Sequence, residues 1–173
     1  MGAATLSTDA VVHELYEDPD LVALVCQRFG SEVAPEGKID RGALAKVAFA
    51  SEEGRAWLEG QLWPRVGERV WNWRQEVQAR RPPPRAAVVE VPLLFEAGLA
   101  QAYDATIAVI APEDVRAQRA GARGHHAVDE RTARQLSQEE KAEQANHVVV
   151  NDGTETELSA RLDEVLAVIA GQT

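Results

Sequence analysis

The nine residues from Val88 to Glu96 constrain the fold more than any other stretch of the sequence. They read VVEVPLLFE. The β-branched apolar start predicts a strand buried on both faces of a parallel sheet. Pro92 ends that strand because it has no N–H to donate, which places Glu90 and Glu96 around the carboxyl edge of the sheet. Ligands bind at this edge in open α/β sheets, although solvated acids at the end of a core strand would give the same pattern.

The remaining patterns predict strands that alternate with helices. Short apolar runs indicate three further strands, at Ala3–Leu6, Ala105–Ala111 and His147–Asn151. Between Asp18 and Arg80 the apolar residues recur only at helical spacing. We therefore predict an α/β fold, a parallel sheet wrapped by helices with an all-helical insertion.

Several helix boundaries follow from capping residues. Asp18-Pro19, Asp40-Arg41 and Ser51 each begin a helix, and Thr154 with Glu157 forms a capping box. Within the helix after Ser51, Pro64 must produce a kink or a restart. Aromatic residues at helical spacing indicate packing rather than a base-stacking platform, and this interpretation covers Trp57, Trp63, Trp71 and Trp73.

Composition excludes some partners. The 173 residues carry a formal charge of −10, which argues against nucleic acid or an anionic membrane as the main partner. The single cysteine, Cys26, permits no internal disulfide and favours a reducing cytoplasm. No apolar run is long enough for a membrane span, and the first residues do not resemble a signal peptide. The sequence does not determine the oligomeric state.

Two sets of residues are candidates for chemistry, and each has a structural alternative. Asp9 opens a helix directly after a strand, so it is either a first-turn acid favoured by the helix dipole or a general base. Spacing alone favours the first. Five arginines between Arg116 and Arg134 form either a solvated helical hairpin or a phosphate clamp, because guanidinium groups match phosphate oxygens. The pair His125-His126 has no neighbours at metal-ligand spacing, so no metal site is predicted.

Longer segments resemble the dephospho-CoA kinase family, in the same order along essentially the whole chain. They are Phe29-Gly30, Gly37-Lys38-Ile39-Asp40-Arg41, Trp57-Leu58-Glu59, Leu62-Trp63-Pro64, Val91-Pro92-Leu93-Leu94-Phe95-Glu96, Arg119 to Arg123, Arg131 to Gln135, and Lys141 to Gly153. The resemblance implies a P-loop kinase core with a helical CoA-binding insert and an arginine-bearing lid. It places the core at 1–17 and 85–173, the lid at about 113–145 and the insert at 18–84.

The same resemblance implies a function. The family transfers the γ-phosphoryl group of ATP to the ribose 3′-hydroxyl of dephospho-CoA, with Mg²⁺. The resemblance assigns Asp9 as the base for the attacking hydroxyl and makes Arg41 part of the CoA-binding motif. The remaining implied residues are Arg119, Arg123, Arg131, Asn151 and Gly153 for ATP, and Pro92, Leu93 and Glu96 for the acceptor.

This sequence departs from the family at several positions. Ser7 stands where an aspartate is usual, Trp63 where a histidine is common, and Glu90 where an aspartate often precedes the Val-Pro-Leu-Leu segment. The 173 residues contain no Gly-x-x-x-x-Gly-Lys-Ser/Thr, the phosphate loop that the family carries upstream of the residue matching Gly2. The first central strand of the fold is therefore also missing. We expect either that Met1 is an internal methionine, which we favour, or that the sheet closes up or recruits another chain.

Three hypotheses for the function remain. The first is a dephospho-CoA kinase, with negligible activity in the 173-residue polypeptide because the phosphate loop is missing. The second is a non-catalytic nucleotide- or CoA-binding relic of the family. The third is a kinase for another nucleoside monophosphate, which the helical insert with Asp40-Arg41 disfavours.

Overall fold

The computed structural model describes residues 2–122 and 135–172. The helices and strands, in chain order, are β1 (Ala4–Ser7), α1 (Thr8–Leu15), α2 (Pro19–Phe29), α3 (Arg41–Ala48), α4 (Glu52–Ala79), β2 (Ala87–Glu90), β3 (Ile107–Ile110), α5 (Glu113–Ala122), α6 (Gln138–Gln144), β4 (His147–Val150) and α7 (Glu155–Gln172). The chain divides into two compact units, a first unit of residues 2–92 and a second unit from Leu93 onward. These bounds differ from those of the helical insert predicted at 18–84, which stays a prediction.

The strands in the described residues form two parallel pairs. In the first unit β1 pairs with β2, with Ser7 opposite Glu90, and in the second β3 pairs with β4, with Val109 opposite Val149. All four predicted strands are present, and β4 ends one residue before the predicted end at Asn151. The α/β fold class with parallel strands is therefore confirmed.

The predicted burial on both faces is wrong for β2, whose Val88 and Val89 are only half-buried, and β3 and β4 are each partly open as well. Val149 is buried, whereas its neighbour Val109, on the same face, is 51% exposed. On the opposite face Ala108 is buried and Val148 is 43% exposed. The reason lies in the helices, since α7 packs on β4 and α6 on β3. Each helix covers one strand of a two-stranded sheet and leaves the other open.

A helical core stabilises the first unit. Leu21 and Val25 of α2 are fully buried, and Leu44 of α3 is 1% exposed. They pack with residues of α1 and α4, namely Val11, Leu15, Leu58 and Leu62. Each buried leucine contributes about 1.5–3 kcal/mol relative to an exposed one. This packing fixes α1, and with it the residues that follow β1.

Capping chemistry confirms most of the predicted helix starts. The Asp18 side chain accepts from the N–H groups of Asp20 and Leu21, and the Asp40 side chain accepts from Ala43 N–H. Ser51 caps α4 through Gly54 N–H. Among the described residues, no helix is long and apolar enough to cross a membrane.

The structure bears on two predictions about α4. Of the two outcomes predicted for Pro64, a kink or a restart, the restart does not occur, because the helix continues from Glu52 to Ala79. Pro64 removes the backbone hydrogen bond to the Gly60 carbonyl, and the Arg65 side chain donates to the next carbonyl, that of Gln61, at 2.8 Å. The packing interpretation fits Trp57, whose ring meets that of Phe29 edge-on at 5.4 Å. It does not fit Trp63 and Trp71, which are each 59% exposed.

Candidate active site

Asp9 lies in the first turn of α1, immediately after the carboxyl end of β1. The Thr8 hydroxyl donates to the carbonyl of Glu90 at 3.0 Å and so ties the start of α1 to the end of β2. Ser7 is the N-cap residue but its side chain makes no capping hydrogen bond. Asp9 is exposed, and its carboxylate has no hydrogen bond or ion pair within the described part of the chain. A carboxylate fixed in position but unpaired is free to accept a proton from a bound ligand.

Arg41 occupies the first position of α3 in the first unit. The preceding Asp40 is used for the cap, so the Asp-Arg pair begins a helix and leaves the arginine exposed. Within residues 2–122 and 135–172 the Arg41 guanidinium has no ion-pair partner. It is therefore available for an anionic ligand.

The segment after β2 forms a turn rather than a helix. Ala97 N–H donates to the carbonyl of Leu93, and Leu99 N–H to that of Leu94. Gly98 closes the turn with φ +66, a conformation that favours glycine. Pro92 and Leu93 are both exposed, the latter by 43%. Their predicted contact with the acceptor stays a prediction.

The Glu96 side chain is largely buried, with 15% of it exposed. Its Oε1 accepts from Leu136 N–H at 3.0 Å and lies 2.9 Å from Lys141 Nζ. Its Oε2 is buried and has no hydrogen-bond partner among the described residues. Burial raises the pKa of Glu96, but hydrogen bonds from Lys141 and Leu136 outweigh that effect and lower its pKa below the ordinary value of 4.5. Glu96 therefore remains ionised and holds the chain just before and within α6.

This arrangement predicts how stability depends on pH. A carboxylate whose pKa is lowered on folding stabilises the protein above its unfolded pKa, near 4.5, and that stabilisation is lost as the pH falls through the lower folded value. Wild type should lose unfolding free energy more steeply than Glu96→Gln below about pH 4.5, measured by urea denaturation at several pH values. Lys141→Met removes the cation beside Glu96. Adding Glu96→Gln to Lys141→Met should therefore change the pH dependence of the unfolding free energy less than adding it to the wild type does. Parallel curves for wild type and Glu96→Gln would contradict this description of the pair.

Arg119, Asn151 and Gly153 are brought together in the second unit. Arg119 of α5 donates from Nη1 to the carbonyl of Asn151 and from Nη2 to the carbonyl of Gly153, both at 3.0 Å. Arg119 thus has two backbone acceptors, and its predicted contact with ATP phosphate oxygens stays a prediction. Arg123 and Arg131 lie outside the described residues, so their predicted convergence with Arg119 stays a prediction.

The predicted capping box at the start of α7 is present and constrains the same loop. The Glu157 carboxylate accepts from Thr154 N–H at 2.7 Å, and Thr154 Oγ1 accepts from Glu157 N–H at 3.3 Å. A Cβ at Gly153 would lie too close to Glu157 Oε2. A larger residue at this position would therefore require the exposed Glu157 carboxylate to move, whereas glycine leaves it in place.

Sequence reasoning missed two residues that position the second unit. Gln138 donates to the carbonyl of Ala111 and accepts from its N–H, at 2.8 and 2.9 Å, and so pins α6 to the end of β3. Arg161 of α7 donates to the carbonyl of Val150 and to Asp152. Neither residue lies in a recognisable motif. The only signal that could have found Arg161 is its position, a basic residue one helical turn after the capping residue Glu157.

Comparison with known proteins identifies the family. The sequence model described as dephospho-CoA kinase matches residues 1–157. The chain belongs to the dephospho-CoA kinase family. It is 38% identical over 170 residues to the dephospho-CoA kinase of Thermobifida fusca, covering 95% of this chain and 82% of that protein. The dephospho-CoA kinase of Anaeromyxobacter dehalogenans is 35% identical over 176 residues, with 98% and 82% covered.

Solved structures agree with the family assignment. The crystal structure of TT1252 from Thermus thermophilus matches with a TM-score of 0.76 and 30% identity, covering 96% of this chain and 84% of that one. The dephospho-CoA kinase from Campylobacter jejuni gives 0.66 at 22% identity, over 99% and 87%, and supports the fold alone. The family is one of kinases, transferases that use ATP, and the P-loop kinase-like fold class predicted from the sequence is confirmed.

Proposed function

We propose that this family member transfers the γ-phosphoryl group of ATP to the ribose 3′-hydroxyl of dephospho-CoA to give coenzyme A. The observation that carries the proposal is the exposed, unpaired carboxylate of Asp9, which directly follows β1 within the region that the family model matches. Phosphoryl transfer asks the protein for positioning and charge neutralisation, together with a carboxylate that accepts the hydroxyl proton. The third hypothesis, another nucleoside monophosphate as acceptor, has no support from the relatives.

The reaction uses Asp9 as the general base. The 3′-oxygen attacks the γ-phosphorus, its proton passes to the Asp9 carboxylate, and the bond from the γ-phosphorus to the bridging oxygen breaks to release ADP. Arg123 and Arg131 neutralise charge on the transferred group, and Arg119 with Asn151 and Gly153 supports the adenine side of the ATP site.

The acceptor is bound through residues of the PLLFE segment and the helical insert. Arg41 offers an exposed guanidinium for phosphate oxygens of dephospho-CoA. Pro92 and Leu93 present exposed apolar surface, and Glu96, which holds Leu136 and Lys141, fixes the turn that carries Leu93. In this proposal residues 18–84 form the CoA-binding insert and about 113–145 the lid.

Mg²⁺ enters the proposal as part of Mg–ATP. No group of three or more His, Cys, Asp or Glu side chains in the described ranges is arranged to hold a metal ion. Mg²⁺ in such kinases is bound through one or two carboxylates together with substrate phosphates, and it neutralises their charge. The described residues therefore do not form a protein metal cage, and no step here depends on one. The unpaired Cys26 fits the expected reducing cytoplasm.

The 173-residue polypeptide is proposed to turn over slowly by itself, because its sequence lacks the Gly-x-x-x-x-Gly-Lys-Ser/Thr loop. An extended chain, defined as these 173 residues preceded by a strand and that loop, is the form in which we propose full activity. The alternative, a relic that binds ligands without catalysis, is favoured by the same missing motif. It predicts that the extended chain is also inactive.

Acceptor binding can be tested on the 173-residue polypeptide itself. We expect dephospho-CoA to bind in a calorimetric titration and AMP to bind at least about tenfold more weakly. Arg41→Gln should weaken dephospho-CoA binding about fivefold, since a hydrogen bond to phosphate at an exposed site is worth about 1 kcal/mol. Arg69→Gln, at an exposed arginine of α4, is the matched control and should leave binding unchanged. Equal affinity for AMP and dephospho-CoA would contradict the proposed acceptor.

A further inference from the structure

Two arginines from different helices engage four consecutive residues, the last residue of β4 and the first three of the loop that leads to α7. Arg119 of α5 donates to the carbonyls of Asn151 and Gly153, each at 3.0 Å. Arg161 of α7 donates through Nη1 to the carbonyl of Val150 and, at 2.7 Å, to Oδ1 of Asp152. We name residues 150–153 the braced loop. Its conformation is set from both sides by guanidinium groups.

The Arg161–Asp152 pair fixes geometry more than it adds stability. The hydrogen bond from Arg161, only partly opposed by desolvation, lowers the pKa of Asp152, so Asp152 stays charged at neutral pH. Their side chains are 41% and 44% exposed, however, and ion pairs this open to solvent contribute little to folding. What the pair does supply is a fixed orientation of the Asp152 side chain relative to α7.

Two polar groups of the braced loop are free to bind a ligand. Within the described residues the Asn151 carboxamide has no hydrogen-bond partner, and neither has the Gly153 N–H. A carboxamide can donate to one ring nitrogen and accept from an exocyclic amine, which is how Asn pairs with the N6 and N7 edge of adenine. Guanine presents two acceptors at the same edge and is matched by arginine instead. Here both neighbouring arginines are already occupied by the loop.

We propose that Arg161 is a positioning residue for the nucleotide base. With Arg119 it holds the braced loop so that the free Asn151 carboxamide and the Gly153 N–H meet the edge of adenine. This inference rests on the proposed function, because it takes Asn151 and Gly153 as part of the ATP site. It goes further by naming a residue outside that site as the determinant of its geometry and of the preference for adenine over guanine.

The test is a set of titrations of the 173-residue polypeptide with ATP, GTP and dephospho-CoA. Arg161→Gln should weaken ATP binding about tenfold and reduce the ratio of ATP to GTP affinity, while dephospho-CoA affinity stays within about twofold. Arg161→Lys should retain most of the ATP affinity, because both contacts of Arg161 come from one nitrogen, as a lysine ammonium could make them. Arg55→Gln, which removes an arginine paired with Glu59 at 3.2 Å on α4, is the matched control and should change neither ligand.

The outcomes separate this inference from the proposed function. Unchanged ATP affinity in Arg161→Gln, an equal loss for dephospho-CoA, or no preference for ATP over GTP in the wild type would each overturn the role of Arg161. Absence of ATP binding in the wild type would overturn it as well. Failure of dephospho-CoA to bind the wild type would instead count against the proposed function.

Discussion

Asp9→Asn in the extended chain should lower kcat by about a hundredfold or more, because removal of a general base typically costs 10²- to 10⁴-fold. The substitution keeps the size and shape of the side chain and removes its capacity to take the proton. Asp9 forms no ion pair in the described residues, so little else is lost. Steady-state ADP release with saturating ATP and dephospho-CoA measures the effect. Substrate affinities should change much less than kcat.

Asp20 provides a matched control for Asp9. Each is exposed, and each is the second residue of its helix, α1 for Asp9 and α2 for Asp20. Both substitutions to Asn should therefore cost a similar 0.3–1 kcal/mol or so of unfolding free energy through the helix dipole. Only Asp9→Asn should affect kcat. If Asp9→Asn keeps kcat within about threefold of the parent, Asp9 is a helix-terminal acid and the proposed base is wrong.

The second large effect concerns the phosphate loop. We expect the 173-residue polypeptide to form coenzyme A at least about a hundredfold more slowly than the extended chain. Loss of a single donor aimed at developing charge costs about 10²- to 10³-fold, and the loop supplies several amides and a lysine. An extended chain whose loop lysine is replaced by methionine should fall between the two. Comparable rates for the polypeptide and the extended chain would show that the loop is dispensable.

Local structure was predictable from the sequence where short-range chemistry determines it. The cap formed by Asp18 and the capping box of Thr154 with Glu157 each join residues at most three positions apart. Both have the predicted hydrogen bonds. The strand predicted at His147–Asn151 is present as His147–Val150, because its apolar residues are contiguous. Family resemblance supplied the fold class, since the quoted motifs occur in the same order as in the family.

Contacts between distant parts of the chain were not predictable in the same way. Nothing in the pattern around Glu96 pairs it with Lys141, and nothing around Arg119 indicates that carbonyls of a loop more than thirty positions later would accept its hydrogen bonds. Val109 has the same apolar character as Val149, yet only the second lies beneath α7. Burial in a sheet depends on which helix covers which strand, and periodicity within a strand does not contain that information.

The most direct test of the proposed activity is the position of the transferred phosphate. The extended chain is incubated with Mg–ATP and an equimolar mixture of dephospho-CoA and AMP, and the products are analysed by phosphorus–proton correlation NMR. The account predicts one new phosphate, coupled to the ribose H3′ of dephospho-CoA, and its loss in Asp9→Asn. Phosphate on AMP, on another position of dephospho-CoA, or on neither acceptor would contradict the assignment of this protein as a dephospho-CoA 3′-kinase.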